Sequence, residues 1–324
     1  MRRVLIPPVL APIGPGAGPT GPVETLGGRI MGTTWSVRLV TTRGNAAPIH
    51  DRIEAAFARL LAQLSHWEPD SALCRFNRAP AGTRQVLPDA LFTVLSAACS
   101  LAEAGAGACD PTLGALVDLW GFGPPGPVDA VPDDCAIEAA RARTGWHRLA
   151  LDPSDRSAHQ PGGLALDLSA IAKGYVVDGI SELLSELGVA HHLVEIGGEL
   201  RGRGVKPDRQ PWWVGLDGNG PGETVVALND LSVATSGDSQ RSLRLSGRRF
   251  GHTLDPATGR PLTRAARSVS VLHPSCMIAD ALATAILVLG LERGLALADR
   301  QGVACCIRDD DRTHLSDAAR RMAA

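Results

Sequence analysis

The sequence has few aromatic residues and no excess charge of either sign. Only 4% of its 324 residues are Phe, Trp or Tyr, with a single tyrosine, so we expect a core of Leu, Val, Ile and Ala. Lys and Arg total 32, Asp and Glu total 34, and the formal net charge is -2. This balance lacks the electrostatic footprint of a nucleic-acid-binding protein. We therefore expect no nucleic-acid partner.

Paired cysteines and long apolar runs are also missing. The seven cysteines form no Cys-x-x-Cys pair, so zinc-finger spacing is absent and a disulfide framework is disfavoured. No run reaches the roughly 18 uninterrupted apolar residues of a membrane span. Prolines break the apolar patch after Met1-Arg2-Arg3, and no lipid-accepting cysteine follows it. These features favour the cytoplasm, with the periplasm as the alternative.

The chain is long enough to bury a substantial core. Hydrophobic residues make up 44% of it and charged residues 20%, which is a normal globular balance. Residues 1–24 are rich in Pro and Gly, and we interpret them as a flexible tail. We interpret residues 25–324 as a single domain.

The stretch at residues 167–178 carries the most distinctive chemistry. It follows the apolar run 163–166 and opens an amphipathic segment, so it predicts a strand, a turn and a helix, with Ser169 as the helix cap. Asp167 before a helix N-terminus and Lys173 soon after its start suit an anion site. Gly174 costs about 1 kcal/mol in a helix relative to alanine. We therefore expect a ligand or a neighbouring element to approach this backbone closely.

A second candidate site lies on the apolar helix predicted from residue 276 to about 289. Asp280 and Thr284 are four residues apart, so their oxygens share one face. A carboxylate and a hydroxyl without a neighbouring thiolate or imidazole suit Mg²⁺. The alternative is that Thr284 bonds back to the Asp280 carbonyl and Asp280 acts as a cap. The residues alone leave both open.

Other patches are weaker signals. Trp67 lies in a polar loop, where it either packs or stacks on a planar ligand. Small residues at 105–108 precede an Asp-Pro turn and allow close backbone approach. The Gly197-Gly198 turn is not the dinucleotide-binding fingerprint, because no helix follows it. His252 stands near a strand end, where a histidine is more often structural than catalytic.

Taken together and in order, these patches closely resemble the ApbE family, the FAD:protein FMN transferases. Eight motifs carry the resemblance: residues 31–37, 65–77, 107–112 with 119–123, 167–178, 196–199, 234–238, 252–259 and 279–290. The resemblance spans about residues 25 to 310. It implies an α/β fold of the α+β type, with mixed and antiparallel sheets flanked by helices and two lobes around an FAD cleft.

The resemblance also implies an activity and its site residues. The enzyme would bind FAD with Mg²⁺, transfer FMN to a threonine or serine hydroxyl of a target flavoprotein and release AMP. The family's usual targets are redox-pump subunits and flavin reductases. By matching motif positions, the FAD site would comprise Met31, Trp67, Ala108, Cys109, Asp110, Asp167, Lys173 and Leu254. The Ala170 carbonyl, Asp280 and Thr284 would hold the metal, with Asp280 also counted as catalytic, and His252 would be the base.

Three positions depart from the family pattern. Ala283 replaces a common third carboxylate of the metal helix, Glu195 stands where many members have asparagine, and Ser239 replaces a frequent tyrosine. Two alternative functions stay open. One is an Mg²⁺-dependent FAD pyrophosphatase that yields FMN and AMP, and the other is a flavin-binding carrier without turnover. Intact Lys173, Asp280 and Thr284 argue against the carrier.

Overall fold

Helices and mostly antiparallel strands form the fold. The computed structural model describes residues 3–7, 19–41, 46–216, 224–237, 242–263, 266, 268–309 and 312–323. The helices are α1 Ala47–Leu64, α2 Ala72–Asn77, α3 Asp89–Ala104, α4 Gly114–Leu119, α5 Asp134–Arg141, α6 Ala172–Glu186, α7 Cys276–Arg300 and α8 Asp317–Met322. A 3-10 turn at Trp146–Arg148 lies between α5 and α6.

The strands, in chain order, are β1 Arg3–Leu5, β2 Val23–Ile30, β3 Thr33–Val40, β4 Arg84–Val86, β5 Ala150–Asp152, β6 Ser157–His159, β7 His192–Ile196, β8 Glu199–Arg203, β9 Trp212–Gly215, β10 Thr224–Leu228, β11 Leu231–Gly237, β12 Ser242–Leu245, β13 Arg248–Gly251, β14 Leu254–Asp255, β15 Arg260–Pro261, β16 Ser268–His273, β17 Ala304–Arg308 and β18 Thr313–Leu315. Among the described residues, eight strands form the central sheet in the order β18-β17-β16-β11-β8-β7-β3-β2. All of its pairs are antiparallel. Smaller sheets are β1-β10-β9 and β4-β6-β5.

The central sheet is covered on both faces. Successive side chains of a strand point to opposite faces, and here neighbours along one strand enter different hydrophobic clusters. Val194, Ala234 and Val271 pack under the helices, whereas Leu193 and Val233 pack against β9, β10 and α8. The predicted α/β fold of the α+β type, with mixed and antiparallel sheets flanked by helices, is confirmed.

Two predictions near the N-terminus and before α6 need correction. Within the segment predicted as a flexible tail, Arg3–Leu5 forms β1, pairs in parallel with β10 and buries Leu5 completely. Leu5 belongs to the second hydrophobic cluster, which explains why this strand is ordered. Residues 163–166 do not form a named strand and make only an isolated bridge, between Ala165 and Leu113.

Two amide side chains explain the irregular backbone at 163–166. Asn77 accepts from the Leu166 N–H (2.8 Å) and donates to the Leu166 carbonyl (3.0 Å). Gln160 likewise accepts from the Leu164 N–H and donates to its carbonyl. A buried backbone must find partners somewhere, and here the two amides supply bonds that a strand would otherwise form. They hold the chain where it enters α6.

Helix α7 is long and apolar. It begins at the cap residue Ser275, whose side chain accepts from the Ile278 N–H, and it kinks at Gly290, where φ is 75°. Its length and hydropathy would allow it to cross a membrane, but half of its most apolar 18-residue stretch is buried inside the protein. A soluble protein's core helix passes the same test, so this is weak evidence for a membrane span.

Candidate active site

A buried ion pair lies at the centre of the site. Lys173, in the first turn of α6, places Nζ 2.6 Å from Glu199 Oε1. Glu199 begins β8 directly after the Gly197-Gly198 turn and is 1% exposed. Its second oxygen, Oε2, is buried and has no hydrogen-bond partner. A buried acceptor without a partner is costly, so this oxygen points to a group that the site is built to receive.

Asp280 adds a second buried carboxylate. It is 3% exposed, and its Oδ2 accepts a hydrogen bond from the Gly174 N–H at 3.0 Å. Burial raises the pKa of Asp280 against the opposing effect of Lys173 and of this hydrogen bond. Burial also raises the pKa of Glu199 to about 8, with Lys173 opposing the shift and Asp280 adding to it.

The Lys173 ammonium therefore interacts electrostatically with two buried carboxyl groups, those of Glu199 and Asp280. Burial alone would lower the pKa of Lys173, but the charges of Asp280 and Glu199 outweigh it and raise that pKa. Lys173 thus stays protonated beside two carboxyl groups whose ionised forms burial disfavours. An additional cation would favour the ionised form of both carboxyl groups. The donor set therefore fits the divalent cation that the family resemblance implies.

Hydroxyl oxygens extend the cluster along α7. The Thr284 hydroxyl lies 2.9 Å from the Ser236 hydroxyl, which is near the end of β11. Ala170 lies half-buried in the turn before α6. No group of three or more His, Cys, Asp or Glu side chains that could hold a metal occurs in the part of the chain that the structure describes. Any cation here must depend on a mixed set of carboxylate, hydroxyl and backbone oxygens.

Asp167 organises the turn before α6. Its Oδ1 accepts from the Ser169 N–H at 2.9 Å and from the Ser169 hydroxyl, and its own N–H donates to the Pro111 carbonyl. The prediction that Ser169 caps α6 is wrong, because its hydroxyl is used by Asp167. The residue before α6 is Ile171, which makes no side-chain cap.

A cavity of about 420 Å³ opens beside Asp167. Its volume lies within the usual range for ligand sites, roughly 300–1,000 Å³. Thirteen residues line it: His66, Trp67, Pro69, Cys74, Asn77, Arg78, Gly114, Asp118, Pro124, Pro125, Ala165, Leu166 and Asp167. Trp67 is 48% exposed and its ring contacts that of His66, with 5.2 Å between centroids. His66 Nδ1 lies 3.8 Å from Asp167 Oδ2.

The segment 108–110 lies near Asp167 and Asp280. Cys109 is buried, and burial together with the charges of Asp280, Asp110 and Asp167 raises its pKa to about 12. Such a thiol is a neutral packing group. Asp110 accepts from the N–H and hydroxyl of Thr112 through one oxygen and from a backbone N–H through the other. It therefore shapes the loop that holds Ala108 and Cys109.

Of the predicted site residues, only Trp67 and Asp167 line the cavity. Met31 occupies the β2–β3 turn with φ of 51° and packs against the main core. Leu254 is buried in a third cluster that includes Phe122. His252 lies half-buried just before β14, its ring edge-on to Phe122 at 6.5 Å. The structure thus groups Trp67 with Asp167 at the cavity and places His252 and Leu254 beside the segment that follows α4.

Sequence reasoning missed Glu199, Ser236 and His66 as site residues. A charged residue directly after a Gly-Gly turn at a strand start was the available signal for Glu199. Glu195 accepts from the Ser36 hydroxyl and the Gly198 N–H, so at this position it stabilises the turn. Ala283 is fully buried, and Ser239 lies outside the described residues.

Comparison with known proteins defines the class. The model of the ApbE family matches residues 31–307. The chain is 36% identical over 280 residues to a Vibrio cholerae protein named FAD:protein FMN transferase, covering 85% of this chain and 84% of that protein. A Treponema pallidum protein of the same name is 38% identical over 292 residues, covering 83% of this chain and 79% of that protein.

Solved structures agree with this comparison. The apo flavinyl transferase ApbE of Pseudomonas stutzeri superposes with a TM-score of 0.85 at 39% identity, covering 93% of this chain and 96% of that one. The flavin transferase ApbE of Vibrio cholerae gives 0.84 at 34% identity, covering 93% and 100%. The fold and the named relatives define the class of this protein as a transferase. The chain belongs to the ApbE family.

Proposed function

We propose that this enzyme is an Mg²⁺-dependent FAD:protein FMN transferase. The observation that carries the proposal is the buried cluster of Lys173, Glu199 and Asp280, together with a cavity lined by Trp67 and Asp167, in a chain whose relatives bear that enzyme name. Transfer of a phosphoryl-type group depends chiefly on positioning and charge neutralisation. An ammonium and acidic oxygens at a helix start provide both.

Asp280, Thr284 and the Ala170 carbonyl are the proposed cation ligands. When bound, Mg²⁺ supplies charge neutralisation at the pyrophosphate. Lys173 contributes a second positive charge, and Glu199 holds its Nζ in place. The α6 N-terminus adds the partial positive charge of its free N–H groups.

FAD occupies the cleft that includes the cavity in this proposal. Trp67 stacks on a planar ring, and Asp167 fixes the turn that leads to Lys173. Ala108, Cys109 and Asp110 provide backbone that approaches the ligand closely, and the other contacts come from Met31 and Leu254.

His252 acts as the base for the acceptor. The threonine or serine hydroxyl of the target forms a new bond to the FMN phosphorus as the bond to the AMP phosphate breaks. His252 takes the hydroxyl proton, and AMP leaves with the bridging oxygen. General-base catalysis of this kind contributes roughly 10²–10⁴-fold. The target is a flavoprotein of the redox-pump or flavin-reductase type, and we place the reaction in the cytoplasm.

The test incubates the protein with FAD, Mg²⁺ and a peptide that carries the family's acceptor threonine, while mass spectrometry follows the peptide and chromatography follows AMP. We expect one FMN on the peptide for each AMP released. Asp280→Ala should abolish transfer while FAD still binds weakly. Glu292→Ala removes an exposed carboxylate from the same helix and should leave transfer unchanged.

The other possible results of this assay would each indicate a different function. AMP and free FMN without an adduct would identify a pyrophosphatase, and FAD binding without AMP would identify a carrier. Unchanged transfer by Asp280→Ala would refute the assignment of Asp280 to the cation site.

A further inference from the structure

The N-termini of α6 and α7 are capped by aspartates from each other. The Asp178 carboxylate, on α6, accepts from the N–H groups of Cys276 (2.9 Å) and Met277 (3.1 Å) at the start of α7. In the opposite direction, the Gly174 N–H at the start of α6 donates to Asp280 on α7 (3.0 Å). The first N–H groups of a helix have no acceptor within it. Asp178 therefore satisfies two donors of α7, and Asp280 satisfies one donor of α6.

Two further donors fix the orientation of Asp178. Arg201 Nη1 lies 2.6 Å from its Oδ1, and the Ser275 hydroxyl donates to its Oδ2 at 2.8 Å. Asp178 is 8% exposed. Both carboxylate oxygens thus accept two hydrogen bonds each, in a setting largely closed to water. A carboxylate held in this way has one orientation, and so has the helix end bound to it.

This arrangement controls where α7 lies on α6. Asp280 is one turn beyond the helix end that Asp178 holds, and Thr284 is one turn further. Lys173 belongs to the first turn of α6. A shift of α7 along α6 would therefore change the distance from Lys173 to both oxygen-bearing residues. Asp178 itself is not among the residues that line the cavity.

We propose that Asp178 is a positioning residue for the cation site. It sets the register of α7 against α6 and thereby the place of Asp280 and Thr284 relative to Lys173. This inference rests on the proposed function, because it assumes that Asp280 and Thr284 hold the cation.

The test is Asp178→Asn, which keeps the shape and replaces one acceptor oxygen by an NH₂ group that faces N–H donors. Binding of Mn²⁺ is measured by electron paramagnetic resonance with ADP present, which supplies a pyrophosphate without transferable FMN. Groups that orient metal ligands typically contribute about 10–100-fold to metal affinity, and we expect a loss near the lower end because Asp178 acts through the end of α7 and does not contact a ligand. The Mg²⁺ concentration for half-maximal transfer should rise by a similar factor, with kcat largely recovered at saturating Mg²⁺.

Asp133→Asn is the matched control. Asp133 caps α5 by accepting from the Ala136 N–H at 2.7 Å, so the variant makes the same chemical change at a helix start that contributes no residue to the cluster. Its Mn²⁺ affinity should equal that of the wild type.

A folded Asp178→Asn protein with wild-type Mn²⁺ affinity would overturn the inference, even if its melting temperature fell. If Asp178→Asn does not fold, Ser275→Ala removes one donor to Asp178 and is judged by the same measurement, with unchanged Mn²⁺ affinity again refuting the inference. Asp280→Ala distinguishes failure of the cation site from failure of the positioning role of Asp178. Wild-type Mn²⁺ affinity in that variant refutes the cation site itself, whereas loss there with retention in Asp178→Asn refutes only the positioning role.

Discussion

Replacing Gly174 by alanine should destabilise the protein, although alanine is the better helix former. A Cβ at this position would lie 2.3 Å from the Cys276 carbonyl oxygen, 2.6 Å from its carbon and 2.8 Å from the Met277 Cα. Ordinary contact begins near 3.4 Å, so α6 and α7 would have to separate by about 1 Å. The obstructing atoms are backbone and cannot rotate away. The close approach expected from the sequence at Gly174 is a helix contact.

Gly179 provides a control within the same helix. A Cβ there would meet only the end of the Leu60 side chain at 3.7 Å. Gly179→Ala should therefore gain the helix propensity of alanine, about 1 kcal/mol. Gly174→Ala gains the same amount but adds an overpacking cost of about 3 kcal/mol, the upper part of the usual range, because the neighbour is rigid.

The two variants should thus differ by about 3 kcal/mol in the free energy of unfolding. Urea denaturation followed by circular dichroism measures this difference, with Gly179→Ala above the wild type and Gly174→Ala below it. Equal stabilities for the two variants would show that α6 and α7 do not touch at Gly174.

Three further predictions concern pH, ligand binding and the Asn77 amide. Burial lowers the pKa of His192 from 6.5 to about 4. The titration of His192 therefore does not change the stability above pH 6.5, and it costs about 3 kcal/mol of stability as the pH falls from 6.5 to 4. His192→Gln should flatten this part of the stability–pH curve, and an unchanged slope would contradict the lowered pKa of His192. Trp67→Ala should weaken FAD binding in fluorescence titrations about 10-fold, since aromatic stacking is worth roughly 1–3 kcal/mol, whereas Trp213→Ala, which removes another exposed indole, should leave it unchanged. Asn77→Ala should cost about 1–3 kcal/mol because two backbone groups lose their partner, and urea denaturation that shows no loss would contradict this role.

Local patterns in the sequence predicted α6 and placed the start of α7 at residue 276. Burial of one helix face is a local and repeating requirement, so it leaves a pattern in the sequence. The same approach failed at residues 163–166. An apolar run cannot reveal that Asn77, far away in sequence, supplies the hydrogen bonds that a strand would have made.

Some features of the candidate site could likewise be predicted from local sequence, and others depended on the tertiary structure. The sequence by itself determined that Lys173 follows a helix start and that Asp280 and Thr284 share a helix face, because helical geometry fixes side chains three or four residues apart. Only the tertiary structure decided that Glu199 pairs with Lys173, that Ser236 meets Thr284 and that Asp178 caps α7. These contacts join residues that are 26, 48 and 98 positions apart. Their formation depends on how the sheet and two helices pack, and no local pattern encodes that packing.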